Sequence, residues 1–192
     1  MGTAKGERRR QELVTAAAGL LRSGGFEAVR HRAVAERAGL PLASTTYYFA
    51  SLDDLVTAAV ERTSRDELAE GREQLDALAD GPVATPALVE LVLDQLLGPE
   101  SRDGGLHAVL LRYERLVGAG RRPYLAPLMR ELREDLDALL AEILVRSGHP
   151  LDAAALRDLV ALVDGAVISA LIEADADPRA VARDVMIRTL RP

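Results

Sequence analysis

The sequence predicts an all-α protein. Three observations carry this. No stretch alternates apolar and polar residues with period two, so strand signals are absent. Apolar residues recur at spacings of three and four along most of the chain. Gly, Pro and Asp-Pro punctuation then cuts the chain into about nine helical segments with short connections.

The first helix is expected over residues 7–23, where Leu13, Ala17 and Leu20 form a stripe flanked by Val14 and Leu21. Gly24-Gly25 stops it, because glycine accepts the left-handed conformation after a helix. Phe26 returns the chain to the core. Residues 30–38 form a short helix ending at Gly39, and residues 42–48 form another. Ser51 and Asp54 have capping-box spacing and open a long helix towards Leu78, with Gly71 as an expected bend. Asp80-Gly81-Pro82 is a break. Thr85-Pro86 reads as an N-cap followed by proline, opening a helix to Leu97. Residues 98–105 read as a loop. Helices follow over 106–117, 124–146, 153–174 and 178–190, with Asp152 and Asp177 as caps.

Composition removes several function classes. There is no Cys, which excludes a disulfide framework, a cysteine zinc site and a cysteine nucleophile. No apolar run is long enough for a membrane helix, and the charged N-terminal segment has no apolar stretch behind it. A cytoplasmic protein is expected. The net charge of −6 is unevenly spread. Residues 1–50 hold eight basic and four acidic groups, while residues 51–192 hold 16 and 26. A basic head on an acidic body is the asymmetry of a chain whose one end meets phosphate. Four of the six aromatics, Phe26, Tyr47, Tyr48 and Phe49, fall in that head.

Residues 30–49 fit a helix-turn-helix. Two helices crossing steeply need a small residue at the crossing, supplied by Ala35. The turn needs a residue at positive φ, supplied by Gly39 four positions later. Val34, Ala38, Leu40 and Tyr48 supply apolar contacts. The second helix ends in Ser, Thr and Tyr, which reach base edges and phosphates. An ordinary helical hairpin has the same Ala-to-Gly spacing, so that spacing alone leaves both readings open.

The wider pattern resembles the N-terminal domain of TetR-type regulators, the tetracycline-repressor family. The matching pieces are the leading helix closed by Gly24-Gly25-Phe26, the Val34-Ala35-x-x-Ala38-Gly39-Leu40 block, Tyr48-Phe49, and Ser51-x-x-Asp54-Leu55. They span residues 8–60; beyond that the likeness is architectural. The resemblance implies a domain of residues 1–51 that reads DNA and a helical domain of residues 52–192 that binds ligand and dimerises. It implies a homodimeric repressor, acting on the nucleoid, that binds a palindromic double-stranded operator until a small-molecule effector releases it. Carried over by position, Pro41, Leu42, Ser44, Thr46 and Tyr47 face DNA and Tyr48 meets a phosphate. Three positions depart from the family pattern. Arg30 stands where Thr often caps the second helix, Thr45 where Leu is common, and Leu52 where a phosphate-holding Lys is common. Arg30, His31 and Arg32, or Arg8–Arg10, are the basic groups placed to substitute.

In the acidic body, His107 lies in a helix with Val109, Leu110, Leu111 and Tyr113, while Gln95, Tyr124 and Met129 are the other polar or soft groups nearby. An apolar helical cavity with few polar groups suits a mostly apolar ligand. Gln95, His107, Tyr113, Tyr124 and Met129 are the candidate ligand contacts. Leu156, Leu159, Val160, Val163, Val167, Ala170 and Leu171 form one broad apolar stripe. Ala161, Gly165 and Ser169 form a second of small residues every four positions, and Val181, Val185 and Met186 extend the surface on the last helix. This reads as a dimer interface, with an intramolecular core as the other reading. No cofactor, metal motif or catalytic constellation stands out, so an enzyme is disfavoured. The rival reading is a helical ligand binder or adaptor that no longer binds DNA.

Overall fold

The computed structural model describes residues 4–78 and 83–190. The break expected at Asp80-Gly81-Pro82 lies outside the described residues. These contain no strand. In order they form α1 (Ala4–Ala28), α2 (His31–Ala38), α3 (Leu42–Tyr48), α4 (Leu52–Asp76), α5 (Thr85–Leu97) and α6 (Ser101–Gly120), then a 3-10 turn (Pro123–Leu125), α7 (Ala126–Arg146), α8 (Ala153–Ile172) and α9 (Pro178–Thr189).

The helices sort into two compact units. One takes the chain up to Asp66 together with Tyr113–Arg130; the other takes Glu67–Arg112 and the chain from Glu131 onward. The division falls inside α4, α6 and α7, not at residue 51. The physical reason lies in the first half of α4. Its Leu55, Val56, Ala59 and Val60 are buried and add their side chains to the core of the first unit.

In the first unit, α1 buries Leu13, Val14, Ala17 and Leu21 and packs on α2, which packs on α3. The stop expected at Gly24-Gly25 is present as an interruption, with Gly25 at φ 64°. Ser51 Oγ accepts from the Asp54 N–H at 3.1 Å and so caps α4.

In the second unit, α9 packs on α5 and α8. The core is aliphatic: Leu88, Val89, Leu93, Leu139, Leu140, Ile143, Val163, Val167, Ala182 and Met186 are buried. Met186 therefore faces inward and does not extend an outer surface. Asp152 caps α8 by accepting from the Ala154 and Ala155 N–H groups at 2.9 and 2.8 Å. Those bonds, Ala155's first, hold its carboxyl below the usual range. Asp177 caps α9 through the Ala180 N–H.

Three local expectations change. Thr85 is helical, and the N-cap is Ala84, which has no side-chain bond to give. Residues 101–104 are already helical, and the break comes at Gly105 (φ 51°). The helix runs through Gly71 unbroken, and this residue serves a close approach: a Cβ there would collide with the Gln95 side-chain amide and lie 2.8 Å from Leu139 Cδ2.

An ion network inside this unit has no local signature in the sequence. Arg179 is 1% exposed. It donates to Ser101 Oγ (2.6 Å), Asp94 Oδ1 (2.8 Å) and Glu90 Oε2 (2.7 Å). Arg102 clasps Asp94 with two bonds at 2.9 and 2.7 Å, and Arg183 pairs with Glu90. Burial alone would raise the Glu90 carboxyl; the bonds from Arg183 and Arg179, with their charges, outweigh it and hold it below the ordinary glutamate value.

Candidate DNA-reading head and effector region

The turn between α2 and α3 is rigidly closed. Gly39 sits at φ 65°, ψ 28°, a conformation that costs an L side chain about 1 kcal/mol or more. The Leu40 N–H donates to Ala35 O (3.0 Å) and the Gly39 N–H to Glu36 O (3.1 Å), the paired bonds of a Schellman closure. Pro41 then precedes α3 with its φ fixed by the ring. Val34 and Ala35 are buried beneath this turn.

α3 has one inward and one outward face. Thr45 is fully buried, and its hydroxyl donates to Leu42 O at 2.8 Å. That bond is how a threonine occupies a core position without stranding its oxygen. Phe49, just past the helix, is buried too. Pro41, Leu42, Thr46 and Tyr47 are exposed, Tyr47 at 80%. Ser44 and Tyr48 are half-buried. The Tyr48 ring meets the Tyr47 ring edge-on at 4.8 Å and braces it. Ala43 is exposed between Leu42 and Thr46. Sequence reasoning passed over it, although its i, i+4 spacing to Tyr47 places it on the same face.

Basic groups lie in α1 and at the start of α2. Arg10 stands 5.2 Å over the Phe49 ring and ties the first turns of α1 to the end of α3. Arg30 precedes α2 without capping it; its guanidinium folds back on Glu27, at 2.9 Å to the carbonyl and 3.2 Å to the carboxylate. Arg32 is exposed. His31 is half-buried, and its Nδ1 has no partner among the described residues.

Of the five ligand-contact candidates, three lie in the first unit. Tyr113 is buried, Met129 half-buried and Tyr124 exposed at 36%. Burial first, then the charge of Asp53 and the bond to it, push the Tyr124 phenol above its ordinary value. Next to Tyr124, Arg122 stacks on Phe26 at 3.9 Å and donates to Gly118 O at 2.9 Å. The other two candidates lie in the second unit. Gln95 is buried and donates to Gln74 Oε1 at 2.9 Å. His107 is exposed and does not point into the helix packing. Arg112 reaches the Gln95 and Leu96 carbonyls at the end of α5 and pairs with Glu67 at 2.9 Å.

α8 is apolar on two opposite faces. Leu156, Leu159, Val160, Val163, Val167 and Ala170 are buried. Ala161, Leu162, Gly165, Ile168, Ser169 and Ile172 are exposed along the other side, Ile172 at 79%. On α9, Val181 and Val185 are half-buried. Among the described residues, no group of three or more His, Cys, Asp or Glu is placed to hold a metal ion, and no helix is long and apolar enough to cross a membrane.

A family model for bacterial regulatory proteins of the tetR family matches residues 13–59, and one for the tetracyclin repressor-like C-terminal domain matches residues 83–192. The chain belongs to the TetR family. It is a DNA-binding transcriptional regulator, and members of this family are not enzymes. No curated protein matches it. Among solved structures this TetR-family chain is similar to the multidrug binding protein EbrR complexed with imidazole, at 32% identity over 96% of each chain, with a TM-score of 0.68. The EbrR complex with ethidium matches at 31% identity over 96% of this chain and 99% of that one, with a TM-score of 0.67. A TetR-family member from Streptomyces coelicolor A3, SCO1917, matches at 30% identity over 96% and 99%, with a TM-score of 0.62.

Proposed function

We propose that this regulator is a repressor that binds a palindromic operator as a homodimer and leaves it when a small, mostly apolar ligand enters the helical body. The observation that carries the DNA half is the outward face of α3, presented by a closed turn at the end of a basic head. In this reading residues 1–51 meet DNA in the cytoplasm, on the nucleoid. Pro41, Leu42, Ser44, Thr46 and Tyr47 address the major groove, and Tyr48, Arg30, His31 and Arg32 the phosphates. Residues 52–192 bind the ligand and the second copy.

The uncovered face of α8 supports dimerisation. Ala161, Gly165 and Ser169 let two such helices approach closely, and Leu162, Ile168 and Ile172 supply apolar area; Val181 and Val185 stand at its border. The ligand half draws on EbrR, which was solved with ethidium and with proflavin. In this reading an aromatic ligand of that kind is met by Tyr113, Tyr124 and Met129, the three candidate contacts that share the first unit.

The test is selection of bound fragments from genomic DNA by the purified protein, followed by salt titration. A repressor binds selected duplexes with affinity falling steeply with salt, and scrambled duplexes far more weakly. Equal affinity for every duplex, or none, would refute the reading and favour a ligand binder without an operator. Fluorescence titration with ethidium and proflavin, repeated on the DNA complex, tests the ligand half.

A further inference from the structure

From Pro41 to Phe49 the chain holds no Arg, Lys, Asn, Gln, Asp or Glu. The outward face of α3 is Leu42, Ala43, Thr46 and Tyr47, with Pro41 in front of it. Base pairs are distinguished in the major groove by matched chemistry. Arg or Lys suits the acceptors of guanine, Asn or Gln suits adenine, Asp or Glu suits cytosine, and apolar groups suit the C5-methyl of thymine. The first three partners are missing from this helix. The Thr46 hydroxyl already donates to Ala43 O at 3.2 Å, which leaves its methyl and an accepting oxygen. Leu42 is 53% exposed, an apolar side chain that the protein itself leaves uncovered. Tyr47 adds a single phenol, braced by Tyr48.

We infer that α3 reads its duplex chiefly through thymine methyl groups, with Leu42, Ala43 and the Thr46 methyl as the reading surface. The bases under α3 are then rich in A·T pairs, and discrimination comes from methyl burial more than from bidentate hydrogen bonds. This rests on the reading that α3 enters the major groove.

The test uses a duplex selected from genomic DNA. Each thymine is replaced in turn by deoxyuridine, which removes one methyl and keeps every hydrogen-bonding group. Burial of a methyl predicts a Kd about fourfold weaker at each contacted position, at two or more positions inside the footprint. Leu42→Ala and Thr46→Ser, both at exposed positions, should weaken binding to the intact duplex and shrink the deoxyuridine penalty at the thymines they touch. A duplex bound tightly and with steep salt dependence, yet indifferent to every deoxyuridine, overturns the methyl reading and leaves groove binding standing. Absence of any preferred duplex, with Tyr47→Ala no different from the wild type, overturns groove binding and the methyl reading together.

Discussion

Gly165→Leu separates an interface from a core. A Cβ built on Gly165 meets no atom within 4 Å, and the residue is exposed on α8. Within one protomer the substitution therefore has room. It replaces a poor helix former with a good one, a gain of about 0.8 kcal/mol. If two α8 helices approach each other across this face, the same leucine enters the contact from both copies. Overpacking a close contact costs roughly 1–3 kcal/mol per site. A two-fold interface carries the change twice, so the dimer should lose about 2–6 kcal/mol, a Kd at least about 30-fold weaker.

Sedimentation equilibrium over a range of concentrations measures that constant directly. Thermal unfolding at dilutions where both proteins are monomers measures the protomer alone, since dimer formation otherwise adds to apparent stability. The expected pair of results is a weakened dimer and a protomer at least as stable as the wild type. An unchanged dimer constant would refute the assignment of this face, and so would a wild-type protein that sediments as a monomer at micromolar concentration.

Other outcomes follow from single contacts. Tyr47→Ala should cost about 1–3 kcal/mol of specific DNA affinity in a fluorescence-anisotropy titration and leave thermal unfolding unchanged, because the side chain is 80% exposed. Arg179→Ala leaves Asp94 and Glu90 without their buried partner and should destabilise the protein by about 3–5 kcal/mol in urea. Glu90 has its folded carboxyl held below the ordinary value, so its contribution is present above that value and is lost as pH falls through the folded one. Urea midpoints should therefore fall with acidification, and less steeply in the Arg179 variant. Ala174 holds φ 55° after α8, so Ala174→Gly should raise stability by about 0.5–1 kcal/mol, read as a higher melting temperature. Any ligand that weakens DNA binding by some factor must itself be weakened by the DNA by the same factor, about 5–150-fold for typical couplings. Calorimetry with and without the duplex measures both.

The elements that sequence located well are those whose ends are set by local chemistry. Gly39 at positive φ, Asp152 and Asp177 as caps, and the limits of α3 depend on residues within a few positions of one another. What was not legible depends on distant partners. Arg179 looks like any surface arginine until α9 lies on α5 and brings Glu90 and Asp94 around it. Gly71 resembles a bend, and its reason is the Gln95 side chain across the helix contact. His107 stands among apolar residues but faces outward, because the buried face of this helix is set by Val109 and Tyr113, and a residue two positions before Val109 lies on the opposite side. Thr45 is the instructive departure at the candidate site. Read as a polar substitution in the reading helix, it is a core residue whose hydroxyl is satisfied three positions back.

The path of the chain bears on how a ligand would reach the head. Each boundary between the compact units falls within a helix, not in a loop: within α4, within α6 and within α7. The stretch Tyr113–Arg130 belongs to the head's unit although it lies far along the sequence. It grips the helix-turn-helix on both flanks. Before α2, Arg122 stacks on Phe26 and pairs with Glu27 at 3.5 Å, and Glu27 in turn holds Arg30. After α3, the Asp53 carboxylate in the first turn of α4 is close enough to Tyr124 that its charge helps raise the phenol. A Cβ on Gly118 would lie 2.9 Å from the Phe26 ring, so the contact tolerates little sliding. Rigid, close-packed contacts shift between discrete arrangements and do not yield gradually. Under the proposed function, a ligand that changes DNA affinity must bind one arrangement of these contacts better than another. The elbow between α6 and α7, through Arg122 on Phe26, is where such a difference would reach the helix-turn-helix.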